Sequence, residues 1–295
     1  MSITITPLTD PDYRPFSRRI AWVASGPGDH PLGTAYLRLN SKPTQQHLAE
    51  LEIAVHPAER RQGVGTGLLA AAVRGARENE ATTVLADAAA GSPGDHFLAV
   101  RGFTVGLELV YTRLSLAEID SAVLRDVLAR PYTGYRLTSW VGPPPDELLE
   151  SFTHARAAMN DAPTGDISYG PESWDVERTK YVADVVAQRG DHLETVAAVD
   201  PAGDVVAFTE LVVPGDRTGD AQHYGTAVLS GHRGHGLARW VKAEQVRQTM
   251  VRHPDLAGLL TDTAATNHAM RQVNTDLGYQ EIHRIHRHHL SLTST

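Results

Sequence analysis

Two short segments of this chain share a pattern that few folds accommodate. Residues 55–65 (VHPAERRQGVG) and 228–238 (VLSGHRGHGLA) both read V-x-x-x-x-R-x-x-G-[VL]-[GA]. Arg60 and Arg233 stand 173 residues apart. A second mark follows each: Phe103 closes an R-G-F triplet 43 residues after Arg60, and Tyr279 closes an L-G-Y triplet 46 residues after Arg233. Two marks in the same order at nearly the same spacing point to an internal duplication, which must be recognised before any local reading.

The flanking sequence repeats as well. Residues 47–55 alternate apolar and polar side chains and predict a strand. Residues 66–79 are rich in Ala and Leu at helical spacing, 82–89 predict a strand, 95–102 a short helix and 107–116 a closing strand. In the second copy, 221–229 predict a strand, 238–252 a helix, 256–264 a strand, 267–278 a helix and 279–290 a strand. Between the copies, 116–130 predict a connecting helix, N-capped by Ser115 with Glu118 in capping-box position and stopped by Pro131. The expected organisation is a first domain over 1–116, a linking helix over 117–130 and a second domain over 131–295. The fold class is α+β, two tandem units each built on a mostly antiparallel sheet flanked by helices, the first abbreviated.

A strand that turns through R-x-x-G-x-[GA] directly into a helix presents unpaired N–H groups at the helix start, with the positive end of the dipole behind them. That is an anion site suited to a pyrophosphate, and the arginine adds a fixed charge. Other phosphate loops fit worse. There is no G-x-x-x-x-G-K-[ST], and neither copy completes G-x-G-x-x-G with a following acid.

Composition removes other classes. The 295 residues contain no cysteine, so there is no disulfide framework, thiol nucleophile or zinc–thiolate site. A net charge of −8 argues against nucleic acid and mildly favours a cationic partner such as an amine. No apolar run is long enough to span a membrane, and the first residues lack a signal-peptide pattern, so a cytoplasmic location is expected.

The two loops resemble the signature of the GNAT acyltransferase superfamily, [QR]-x-x-G-x-[GA] after a strand with a hydrophobic residue five positions before the arginine. The tandem layout resembles double-domain members of that family, the mycothiol synthase-like architecture among them. Asn267 and the L-G-Y at 277–279 match further family marks. The resemblance implies a sheet splayed between its fourth and fifth strands, acetyl-CoA as cosubstrate and direct transfer of the acetyl group to a small-molecule primary amine. It implies CoA contacts from Val55, Arg60, Arg61, Gly63, Val64 and Gly65 in copy one. In copy two it implies them from Val228, Arg233, Gly234, His235, Gly236, Leu237, Ala238 and Asn267. No metal is implied. With the two copies in one chain, a monomer is favoured over a homodimer.

Only copy two has room for the two helices that wall the acceptor site in this family, at 146–160 and 174–188. The chemistry is therefore expected there. The family's usual glutamate slot holds Gln222, however, and its tyrosine slot holds Asn274. Substitutes are Glu210 acting through a water, His223 with its suitable pKa, Tyr224 as a proton donor and Asn274 as an orienting group. These substitutions also leave open a non-catalytic acyl-CoA-binding protein. His283, His286, His288 and His289 invite a metal reading, but alternation on a strand splits them between two faces, and Arg284 and Arg287 lie among them.

Overall fold

The computed structural model describes residues 3–8, 17–42 and 44–293. The chain forms two compact units that do not follow the repeat boundaries expected at 116 and 130. Unit 1 comprises 1–108, 164–171 and 285–295, and unit 2 comprises 109–163 and 172–284.

In unit 1, β1 (Thr4–Leu8), β2 (Ser17–Ser25), β3 (Pro31–Asn40) and β4 (Leu48–Val55) run as an antiparallel meander. Helix α1 (Val64–Glu78) then crosses back, and β5 (Thr83–Ala89) pairs parallel to β4. Helix α2 (Pro93–Ala99) leads into β6 (Thr104–Ser115). The core lies between α1 and the sheet, where Leu68, Ala72 and Ala76 meet Trp22, Leu37, Leu51 and Val84. Gly75 is required there, because a Cβ on it would lie 2.8 Å from the Trp22 ring.

Unit 2 repeats the plan. Helix α3 (Ser121–Leu128) precedes β7 (Arg136–Val141), and α4 (Asp146–Arg156) and α5 (Val176–Gln188) follow. Strands β8 (His192–Val199), β9 (Val205–Val213) and β10 (Gly219–Val228) form an antiparallel run with β7. Helix α6 (Leu237–Arg252) returns to β11 (Leu256–Ala264), which lies parallel to β10. Helix α7 (His268–Asp276) and β12 (Gln280–Ser291) close the chain.

Two expectations need correcting. The connecting helix begins at Ser121, capped by Asp120 on Ala122 N–H, because Ser115 is still in strand, paired with Gly258, and Leu116 N–H still bonds Ala257. The closing strands are also exchanged between repeats. The 285–291 stretch of β12, from the second copy, pairs antiparallel with β5 in unit 1. The 109–115 stretch of β6, from the first copy, pairs antiparallel with β11 in unit 2. A strand's backbone donors require partners wherever the chain finds them, and the repeat pattern carries no record of which copy supplies them.

Candidate active site: two glycine loops, one open cleft

Both loops are built alike, and the geometry explains the spacing of the motif. Each strand ends in a short 3-10 turn, Pro57–Glu59 or Ser230–His232, followed by the arginine in extended conformation. The arginine bends back so that Nε donates to the carbonyl five residues earlier, Arg60 to Val55 at 3.3 Å and Arg233 to Val228 at 3.1 Å. Gly63 (φ 89°) and Gly236 (φ 77°) then start the helices in the left-handed region, where a Cβ is disfavoured. Neither helix has a side-chain cap, so its first N–H groups point outward without an intrahelical partner.

The loops differ in what stands before them. In unit 1, a cavity of about 1170 Å³ opens against the loop. Its walls include Val55, Arg60, Arg61, Gly63, Gly65 and Thr66 of the loop and helix start. Strands β4 and β5 stay paired only from Leu48 to Leu51 and Thr83 to Ala86, so the edge of β4 from Glu52 onward faces the cleft without a strand partner on that side. A Cβ on Gly63 would meet nothing within 4 Å. Arg101 donates to Thr66 Oγ1 at 2.7 Å and lies over Phe97, adding a cation beside the helix start. Val64 buries its side chain in the core, so only its backbone N–H is left to face the loop.

Farther along the cleft, β4 presents Glu50 and Glu52. Glu50 pairs with Arg38 and accepts from Asn40 Nδ2. Asp87 on β5 holds Arg287 of β12 through two bonds of 2.7 and 2.6 Å, and Arg287 also donates to Tyr169 Oη at 2.9 Å. The hydrogen bonds and charge of Asp87 push the Arg287 pKa up and hold it charged, outweighing the burial that would lower it. The 164–171 segment is a wall of unit 1 that sequence reasoning did not foresee: the His47 ring nitrogen bonds Ser168 carbonyl at 2.8 Å.

In unit 2, the loop meets its own side chains. Asp161 ion-pairs with Arg233. Tyr132 stacks on Trp240 with ring centroids 4.0 Å apart, and its ring lies 3.6 Å from where a Gly236 Cβ would be. Tyr135 bonds His232 Nδ1 at 3.1 Å and packs against His235, whose own Nδ1 lies against the His232 and Arg233 carbonyls. Gly234 (φ 83°) keeps the turn, Val228 and Ala238 are half-buried, and Leu237 is buried in the core. Asn267 caps α7, accepting from Met270 N–H at 3.2 Å.

The four catalytic candidates do not converge. Glu210 on β9 is buried with Arg156 of α4 at 2.7 Å, and burial pushes its carboxyl pKa up to about 7 against the pull of that guanidinium. Arg156 stacks on Trp174 at 3.9 Å and faces Tyr224 at 5.5 Å. The register between β10 and β9 shifts at 223–225, which makes Tyr224 the bulged residue and sets Gly225 opposite Glu210. His223 does not join them. It is buried between Thr209 Oγ1 (3.2 Å) and Tyr279 Oη (2.7 Å), and burial and the nearby Lys242 hold its pKa well below the ordinary value. Strand alternation separates it from Glu210 and Tyr224. Asn274 is buried in α7 against Thr263 Oγ1 at 3.4 Å, so it orients the helix on β11.

The profile of the acetyltransferase (GNAT) family matches residues 4–103. A tandem GNAT protein from the clavulanic acid biosynthesis pathway, solved without acetyl-CoA, superimposes with a TM-score of 0.74 at 25% identity over 96% of this chain and 86% of its own. A GCN5-related N-acetyltransferase from Sphaerobacter thermophilus does so with 0.70 at 15% identity, covering 93% and 81%. The glucosamine N-acetyltransferase region of a fungal multi-domain GH3 beta-N-acetylglucosaminidase gives 0.68 at 13%, covering 92% and 33%. No curated protein sequence matches. The GNAT acetyltransferase profile thus covers residues 4–103, and the chain as a whole carries the fold of tandem GNAT proteins. Proteins of this family use acetyl-CoA. No helix in the described residues is long and apolar enough to cross a membrane.

Proposed function

We propose that the chain is an acetyl-CoA-dependent N-acetyltransferase that holds its cosubstrate in the unit 1 cleft and acetylates a primary amine of a small molecule. The observation that carries this reading is the contrast between the loops. The first faces a cavity of about 1170 Å³, whereas the second has Asp161 paired with its arginine and Tyr132 and Tyr135 packed against it. The expectation that the second repeat does the chemistry rested on its two wall helices, and the crowding of its loop weighs against that.

The residues fit the group. The free N–H groups at the start of α1 and the guanidinium groups of Arg60, Arg61 and Arg101 suit a pyrophosphate. The unpaired edge of β4 offers backbone groups to an extended arm, as a sheet edge does to a peptide. When bound, acetyl-CoA supplies an activated acetyl thioester. Glu52 gives the acceptor end a carboxylate that attracts an ammonium, Glu50 and Asp87 being paired with Arg38 and Arg287. Glu52, exposed on β4, is the residue we assign to take the proton from the amine as it attacks, directly or through one water. With no cysteine in the chain, transfer without a thioester-linked enzyme follows.

A second reading, acyl-CoA binding without turnover, is favoured by Gln222 and Asn274 in unit 2, and by Ala49 and Leu98 at the corresponding positions of the first repeat. Calorimetric titration with acetyl-CoA followed by CoA-release assays on a panel of primary amines separates the two. Binding with turnover on at least one amine supports the proposal. Binding with no turnover on any supports the second reading, and no binding defeats both.

A further inference from the structure

Alternation splits the four histidines of β12 as the sequence implied, but the pair on one face is not idle. His286 Nδ1 lies 3.0 Å from Asp95 Oδ1, and His288 Nε2 lies 2.6 Å from the same oxygen. Asp95 comes from α2, a partner that no spacing rule links to β12, and all three residues belong to unit 1. The other two histidines are engaged separately. His283 stacks on Tyr111 and His289 bonds Thr104 Oγ1. The arginines that argued against a cation are neutralised, Arg287 by Asp87 and Arg284 by Glu281.

We propose that Asp95, His286 and His288 form a binding site for a first-row divalent transition metal, zinc being the best fit. Their three donor atoms lie within 4.8 Å of one another. Two imidazoles and one carboxylate are a donor set for zinc and its neighbours, not for calcium or magnesium. Bonds of about 2.0–2.2 Å in a tetrahedral site set donors roughly 3.3 Å apart, so the two imidazole–Asp95 distances have to lengthen by less than about 1 Å. The surroundings are those of a built site. His288 is 1% exposed and its Nδ1 has no partner, so the ring is fixed by packing with Nε2 aimed at the carboxylate. Asp95 Oδ2 accepts from Gly91 N–H at 2.8 Å, which holds the carboxylate in place. Glu108 Oε2 lies 3.6 Å from His286 Nε2, on the far side of that ring. A carboxylate there can orient the imidazole from its other nitrogen once Nδ1 is given to a metal. The fourth position would be left to water. The metal would tie β12 to α2, whose Ser92, Pro93, Gly94 and Phe97 wall the cleft.

The test uses tag-free full-length protein stripped with a chelator and titrated with Co²⁺, a spectroscopic stand-in for Zn²⁺. The expected result is saturation at one equivalent with intense visible bands of a four-coordinate ion, displaced by Zn²⁺, and a Zn²⁺-dependent rise in melting temperature. His286→Gln, whose side chain is partly exposed, and Asp95→Asn should each abolish the bands while keeping the metal-free melting temperature close to that of the wild type. Absence of the bands in the wild type would overturn the proposal, as would bands that persist unchanged in both variants. If His286→Gln folds and Asp95→Asn does not, the first variant alone decides. Because the readout is spectroscopic, its failure leaves the acetyl-CoA reading untouched.

Discussion

Gly65 offers the sharpest probe of the unit 1 cleft. It lies in the first turn of α1 and lines the cavity, and a Cβ there would meet Phe97 at 3.5 Å and Val55 at 3.6 Å, both ordinary contacts. Gly65→Glu is therefore tolerated by the fold and delivers a carboxylate into the proposed pyrophosphate seat. At roughly 5 Å and an effective dielectric near 20, each like-charge pair costs about 3 kcal/mol. Even a single such pair weakens binding by about two orders of magnitude. Ala238→Glu places the same charge at the matching position of the second loop, in the first turn of α6. Titration calorimetry with acetyl-CoA should show a Kd at least about 100-fold weaker for Gly65→Glu and within about threefold of wild type for Ala238→Glu. Melting temperatures without ligand check that both variants fold. The reverse ranking, or an equal loss in both variants, would refute the assignment of the cosubstrate to unit 1.

Other outcomes follow from the buried groups. Lys242 is buried in α6, where burial lowers its pKa to about 7, and the first repeat holds Leu69 at the matching position nine residues after the loop arginine. The unfolded chain binds more protons between pH 7 and 10.5, so this lysine makes stability rise with pH across that window. Lys242→Leu should raise stability at pH 7 by about 1 kcal/mol or more and flatten that rise in urea titrations. Unchanged pH dependence would contradict it. Glu210→Ala should cost about 3–5 kcal/mol in urea unfolding, because it strands the buried Arg156 guanidinium, and a loss under about 1 kcal/mol would show that the pair is not held as described. The Glu210 pKa, raised from 4.5 to about 7, means that the folded state holds its proton longer. Its contribution to stability is therefore largest below pH 4.5 and falls as the pH rises to about 7, a slope that Glu210→Gln should remove. Gly75→Ala gains about 1 kcal/mol of helix propensity, yet its Cβ would press on the Trp22 ring at 2.8 Å. The net effect should be a loss of about 1–3 kcal/mol, and a gain would show that the ring is free to move.

Much of the fold was legible because the duplicated motif is local. The turn, the arginine bent back to the carbonyl five residues earlier and the left-handed glycine all lie within a dozen residues, and periodicity located the helices and strands on either side. What escaped was long-range. Nothing local says that 285–291 pairs with β5, or that 109–115 pairs with β11. Ser115 looked like a helix cap because its side chain and Glu118 suit one, yet its backbone is spent on the strand pair with Gly258. The wall helices made the second repeat look the more complete. Whether a loop is open depends on Tyr132, Tyr135 and Asp161, which lie roughly 70 to 100 residues before it and meet it only in the folded chain. Asp95 escaped for the same reason, since the two histidines that share a face needed a carboxylate from another element before they made a site.

In the proposed arrangement acetyl-CoA sits against the first glycine loop. A crystal structure of the protein grown with acetyl-CoA tests it most directly. Electron density for the pyrophosphate is expected on the N–H groups of Val64, Gly65 and Thr66, with the arm running between β4 and β5. Density confined to the second loop, at residues 234–238, would contradict it.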